Sequence, residues 1–197
     1  MDITPNIYRI ESPFGEEALL DLPKQQFQTD WFGEELGSKA EFCIAATPDA
    51  LLFLVVVENS PIFTNHPPGT FAENLWEKDV GELFISQAQG FPYQEWNVSP
   101  AGAWWSQRFS ETRIPDPYFV PDKSTIARTA PCGNGWVSWM QIPYNEDLLS
   151  TSRIDVTMIL TDSEGQRRFL SCRPEPDIAP DFHRPQAYQT PKIIHFS

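Results

Sequence analysis

Alternation with a period of two is the dominant pattern along this chain. In Tyr93–Pro100 (YQEWNVSP), Tyr93, Glu95, Asn97 and Ser99 fall on one side, and Gln94, Trp96 and Val98 on the other. Gly135–Pro143 (GWVSWMQIP) behaves in the same way, with Trp136, Ser138 and Met140 opposed to Val137, Trp139 and Gln141. Ala50–Glu58 (ALLFLVVVE), apolar with a β-branched run, reads as a strand after the turn signal Thr47-Pro48-Asp49, and Glu41–Thr47 before it makes a hairpin natural. Further strands are expected at Val80–Ala88, from Ala103 to Glu111, at Thr125–Ala130, Ile154–Asp162, Arg167–Arg173 and Lys192–Phe196. The Asn134-Gly135 pair is a strong hairpin signal, because a two-residue primed turn needs positive φ.

This gives about ten strands at sandwich-like spacing. No helical period is sustained. QFQTDWFGEEL (Gln26–Leu36) and NEDLLS (Asn145–Ser150) each suggest a turn or two of helix. The expected fold is an all-β antiparallel sandwich in a single domain, residues 1–197. Residues 1–40 form its N-terminal strand and loop extension. Two proline-rich segments, Glu58–Trp76 and Arg173–Pro191, resist assignment. Long loops in compact domains often carry function, so a ligand is expected there.

Composition sharpens this picture. Nineteen prolines argue for many loops, and aromatics reach 13%, with seven tryptophans. The net charge of −13, without a Lys/Arg cluster, argues against nucleic acid and anionic membrane surfaces as partners. The N-terminus has no basic start or apolar run, and Leu51–Val57 is far short of a membrane span. Cys43, Cys132 and Cys172 are too scattered for a disulfide framework or zinc site. A cytoplasmic location is the expectation.

No catalytic signature is present, neither a nucleophile elbow, a phosphate-cradling loop nor a zinc-protease motif, so no enzymatic activity is expected. His66, His183 and His195 are widely separated. The segment LWEKDVGELFI (Leu75–Ile85) places Glu77, Asp79 and Glu82 beside Trp76. This is either an exposed strand start with solvated charges or a ring-stacking Trp with an adjacent carboxylate, the pairing that sugars require. Trp104 and Trp105 are adjacent in a strand and point to opposite faces, so at most one of them lies in the sandwich interior.

The order LWEKDVGELFI, YQEWNVSP, GWVSWMQIPYNEDLL and DFHRPQAYQTPKIIHF, from about Glu41 to Phe196, resembles family 9 carbohydrate-binding modules and the wider DOMON superfamily. The YQEWNVSPAGAWWSQRF stretch looks closest to bacterial single-domain DOMON-like proteins of unassigned function. The resemblance implies a jelly-roll-like sandwich of immunoglobulin-like or galactose-binding-like architecture that clamps a sugar between two aromatic rings. By position, Trp76 matches one clamping ring. Phe182 matches the other, where the sugar binders carry Trp. Glu82 matches a hydroxyl-binding carboxylate, and Asn97 falls where the binders place an arginine. Arg108 and His183 are candidate neighbours.

Related modules bind structural calcium, but no oxygen-rich ligand set is traceable here. Haem-binding relatives use Met with His or Lys, and Met140 and Met158 form no recognisable haem pattern. The expected function is non-catalytic binding of a saccharide or similar small molecule, with no resident cofactor. A haem or redox carrier, and a structural or protein-interaction domain, are the alternatives. Oligomeric state is left open.

Overall fold

The computed structural model of the chain describes residues 2–10, 16–60, 66–144 and 152–196. Among the described residues, thirteen strands form two sheets. The first contains β1 (Asn6–Ile10), β2 (Gln25–Gln26), β3 (Ala40–Ala46), β4 (Ala50–Val57), β9 (Ile126–Cys132), β10 (Gly135–Pro143) and β13 (Lys192–Phe196), in the order β13-β1-β3-β4-β10-β9 with β2 beside β3. The second contains β5 (Val80–Ser86), β6 (Tyr93–Val98), β7 (Trp104–Glu111), β8 (Ile114–Pro115), β11 (Arg153–Thr161) and β12 (Arg167–Ser171), in the order β12-β11-β5-β6-β7-β8.

The core lies between the sheets. Phe42, Phe53, Val55, Trp136 and Met140 of the first sheet meet Leu83, Val98, Trp104, Val156 and Met158 of the second, all buried. The expected alternation holds in β10, where Val137 and Trp139 sit in a separate cluster on the opposite face. The short helix α1 (Glu16–Asp21) and Leu22 close that second face, packing Leu19 and Leu22 into the cluster with Leu54 and Val56. All eight residues of β4 are therefore buried, which explains its unbroken apolar run.

Two expectations need correction. The first sheet is mixed rather than antiparallel, because β1 pairs in parallel with both β13 and β3. The strand expected within residues 1–40 is β1, an interior strand of that sheet. Gln26–Leu36 forms no helix. It gives β2, an isolated bridge between Thr29 and Glu35, and a turn at Trp31–Gly33. The expected turn at Asn145–Ser150 lies outside the described residues, as do positions 61–65 of the first proline-rich loop.

Gly81 sets how closely β5 approaches the first sheet. A Cβ at Gly81 would stand 2.4 Å from Val55 Cγ2. Gly81→Ala should therefore destabilise the fold by about 1–3 kcal/mol, the usual cost of overpacking. Chemical denaturation measures this, and adding Val55→Ala should recover part of the loss. Full stability in the single variant would show that β5 does not sit this close.

Candidate functional site

The outer face of the second sheet is unusual in being both polar and buried. Its rows follow from the strand register. Thr157, Glu82, Asn97 and Trp105 stand in one row across β11, β5, β6 and β7. Asp155, Phe84, Glu95 and Gln107 form the next. The 173–191 loop crosses this face and leaves a cavity of about 510 Å³, with Glu82, Phe84, Glu95 and Gln107 on its floor and Trp76, Trp105, Phe109, Phe169, Phe182 and His183 among its walls.

Each wall has an identifiable support. A 3-10 turn at Leu75–Glu77 buries Leu75 and turns Trp76 outward at 37% exposure. The Trp76 ring meets Trp105 edge-on at 5.2 Å, and its carbonyl accepts a hydrogen bond from Arg167. Phe182 lies opposite in sequence origin, on the second proline-rich loop. It packs on Trp31 at 5.7 Å and Phe169 at 6.3 Å, and its carbonyl accepts a hydrogen bond from the Tyr188 hydroxyl. Trp31 is itself fully buried. Its indole N–H donates to the Ile178 carbonyl at 2.8 Å, and its backbone N–H donates to Phe169. Arg168 fastens this turn to β12 through Asp30, Glu34 and Asp162.

On the floor, Glu82 is 2% exposed and accepts a hydrogen bond from Thr157 Oγ1 at 2.6 Å. Burial pushes its carboxyl up to about 7, against the help of Thr157. Glu95 is 3% exposed and lies well above the carboxylate range, first through burial and then through the nearby Glu82. Asp155, beneath the loop, is likewise pushed to about 7 by burial, and Ser171 donates to it at 3.2 Å. The Asn97 amide lies close enough to favour the Glu95 anion slightly. Yet neither its Nδ2 nor its Oδ1 reaches hydrogen-bonding geometry with a described partner.

His183 has a defined orientation. The Arg113 backbone N–H donates to the Tyr93 hydroxyl at 3.0 Å, and the same hydroxyl lies 2.8 Å from His183 Nδ1. The hydroxyl donates to Nδ1 or accepts from it according to the tautomer of the ring. Nε2 stands 3.7 Å from Glu95 Oε2. Burial, with the Arg113 charge, lowers His183 to about 4, so the ring is neutral at pH 7.

Of the sequence candidates, Trp76, Glu82, Phe182 and His183 line this one cavity. Asn97 is on the same sheet face but fully buried and does not line it. Arg108 is not part of it. It projects from the other side of β7, pairs with Asp116 at 2.7 Å, and lines a separate cavity with Phe119. The parity of β7 accounts for this: Trp105, Gln107 and Phe109 share one face, and residue 108 falls on the other. The same parity identifies Trp105, Gln107 and Glu95 as lining residues. Of the acidic residues after Trp76, Asp79 is buried, and its carboxylate accepts hydrogen bonds from the Thr161 backbone N–H and hydroxyl, closing the strand end. Met140 and Met158 are both fully buried between the sheets. Among the described residues, no three His, Cys, Asp or Glu side chains converge on a metal position.

No protein-family model matches the chain, and no curated protein matches it by sequence. Solved structures do. A Bacteroides uniformis protein, provisionally described as carbohydrate-binding, superposes with a TM-score of 0.74 at 17% identity, covering 98% of this chain and 100% of that one. A family 9 carbohydrate-binding module from Caldicellulosiruptor kristjanssonii superposes at 11% identity in two complexes. With cellotriose the TM-score is 0.61, covering 98% of this chain and 95% of that one. With glucose it is 0.59, covering 96% and 97%. At these identities the similarity is one of fold, and the fold is that of the family 9 modules.

Proposed function

We propose that the chain is a non-catalytic carbohydrate-binding domain and that the cavity over the outer face of the second sheet is its site. One observation carries the reading: buried hydrogen-bonding groups floor a cavity whose walls are aromatic. A sugar presents the matching surfaces, with C–H faces for the rings and hydroxyls for Glu82, Glu95, Gln107 and His183. Trp76 and Phe182 are the two ring platforms, Trp76 braced by Trp105 and Phe182 by Trp31. The saccharide complexes of structures with the same fold support the reading.

A site of this size should bind small saccharides with micromolar to millimolar affinity, roughly 4–8 kcal/mol. Isothermal titration against a panel of mono- and disaccharides is the measurement. Trp76→Ala should weaken binding about tenfold or more, since a stacked ring contributes about 1 kcal/mol beyond its buried area. Absence of heat with every saccharide, or unchanged binding in Trp76→Ala, overturns the proposal.

A further inference from the structure

Charge balance on the cavity floor points to a narrower ligand class. Glu82 and Glu95 are diagonal neighbours on adjacent strands, because Glu82 pairs with Asn97 and Phe84 with Glu95. Diagonal positions are about 7–8 Å apart at the backbone, within mutual reach of long side chains. Both carboxyls face the cavity, and both are almost completely buried.

Among the described residues neither carboxyl has an Arg or Lys partner within ion-pair distance, and the charges of Arg167 on Glu82 and Arg113 on Glu95 act only from farther off. The hydrogen bond to Glu82 comes from the neutral Thr157 hydroxyl. Beside Glu95 stand the neutral Asn97 amide and His183 Nε2, the latter at 3.7 Å on a neutral ring. Two guanidinium groups do line the cavity, but both are engaged at its rim. Arg113 pairs with Asp181 at 2.7 Å, and Arg167 donates to the Trp76 carbonyl while lying over the Phe169 ring at 5.3 Å. Beneath the loop, Asp155 adds a further carboxyl, and Tyr93 and Tyr188 add only neutral hydroxyls.

We propose, building on the carbohydrate-binding reading, that the ligand is an amino sugar whose protonated amine sits between the Glu82 and Glu95 carboxylates. An ammonium has three donors and no acceptor, which suits two acceptor groups. Charge-assisted N–H···O bonds of about 2.8 Å, diverging at the tetrahedral angle of the ammonium, let it bridge carboxylate oxygens about 4.6 Å apart. The surrounding faces of Phe84, Trp105 and Phe109 favour a cation as well as a sugar ring. A hydroxyl in the same place brings a single donor and no charge, so it leaves the two carboxyls repelling each other or sharing a proton.

The test compares methyl glucoside, methyl glucosaminide and its N-acetyl derivative by calorimetry at pH 6.5, each in two buffers of different ionisation enthalpy. The glucosaminide should bind about tenfold or more tighter than the other two. It should also release protons to the buffer, because a cation on the floor drives the Glu82–Glu95 pair fully to its anionic form. Glu95→Gln should bring the ratio of glucosaminide to glucoside affinity close to one. If that variant fails to fold, the ligand series and the proton count on the unaltered protein still decide. Equal affinities for glucoside and glucosaminide overturn the amino-sugar inference and leave carbohydrate binding standing. No binding by any of the three overturns both.

Discussion

Trp104→Ala and Trp105→Ala should fail in opposite ways, although the two residues are neighbours in the chain. Trp104 is 5% exposed, belongs to the inter-sheet core, and meets Phe71 edge-on at 5.0 Å. Its removal leaves a large cavity in that core, and the expected loss is about 3–5 kcal/mol of stability. Its backbone exchanges hydrogen bonds with Thr70 and Ala72, so the segment leading to Trp76 loosens as well. Trp105 stands on the outer face, partly exposed, as a wall of the cavity and the brace of the Trp76 ring. Its removal should cost roughly half as much stability or less, because the site already opens to solvent. It should weaken saccharide binding about tenfold or more, since it deletes one ring and releases a second. Thermal unfolding and titration on both variants give the two-by-two comparison. Equal stability losses, or a Trp105→Ala protein that binds as well as the parent, would remove Trp105 from the site.

That contrast was legible before any coordinates, because a strand alternates faces whatever else surrounds it. The same rule placed Glu95 with Asn97 and opposed Trp136 to Val137. It also placed Arg108 away from Trp105, which a purely positional reading overlooked. Parallel pairing was not legible. β1 lies between β13 and β3, and its partner Lys192–Phe196 is almost a whole chain length away, with no turn chemistry to announce it. Helix α1 was missed because one short helix shows no sustained period. Its apolar residues Leu19 and Leu22 matter only in contact with Leu54 and Val56. Trp31 was hidden for a related reason. It reaches the Phe182 support through hydrogen bonds to Ile178 and Phe169, and a linear pattern carries no sign of such contacts. The burial of Glu82 and Glu95 was equally invisible. Alternation puts Glu95 on the face of Asn97, but the strand register that sets Glu82 on that face, and the 173–191 loop that makes it an interior, have no linear sign.

That burial leads to the second large effect: the protein should be less stable at pH 8 than at pH 5. Carboxyls whose folded pKa is raised favour the fold while protonated, and that stability is lost as pH rises from the unfolded pKa through the folded one. Glu82 moves from 4.5 to about 7, Asp155 from 3.8 to about 7 and Asp79 from 3.8 to about 6, all chiefly by burial, and Glu95 moves in the same direction. His183 opposes them. Its pKa falls from 6.5 to about 4, so the neutral ring favours the fold, and stability rises with pH through that interval. Asp116, Asp122 and Asp162, held low by hydrogen bonds, lose their contribution only as pH falls below about 4, outside the window. Four carboxyls against one imidazole leave a net decline. At about 1.4 kcal/mol per pKa unit, the decline is roughly 3 kcal/mol or more between pH 5 and 8, or about 6–12 °C in Tm. Thermal unfolding across that range is the measurement. Glu82→Gln combined with Asp155→Asn should flatten the curve, because the amides keep the shape of the floor and remove the protons that titrate. A parent protein whose Tm climbs steadily from pH 5 to 8 would mean that these carboxyls are hydrated or paired, and the charge argument for the cavity would fall with them.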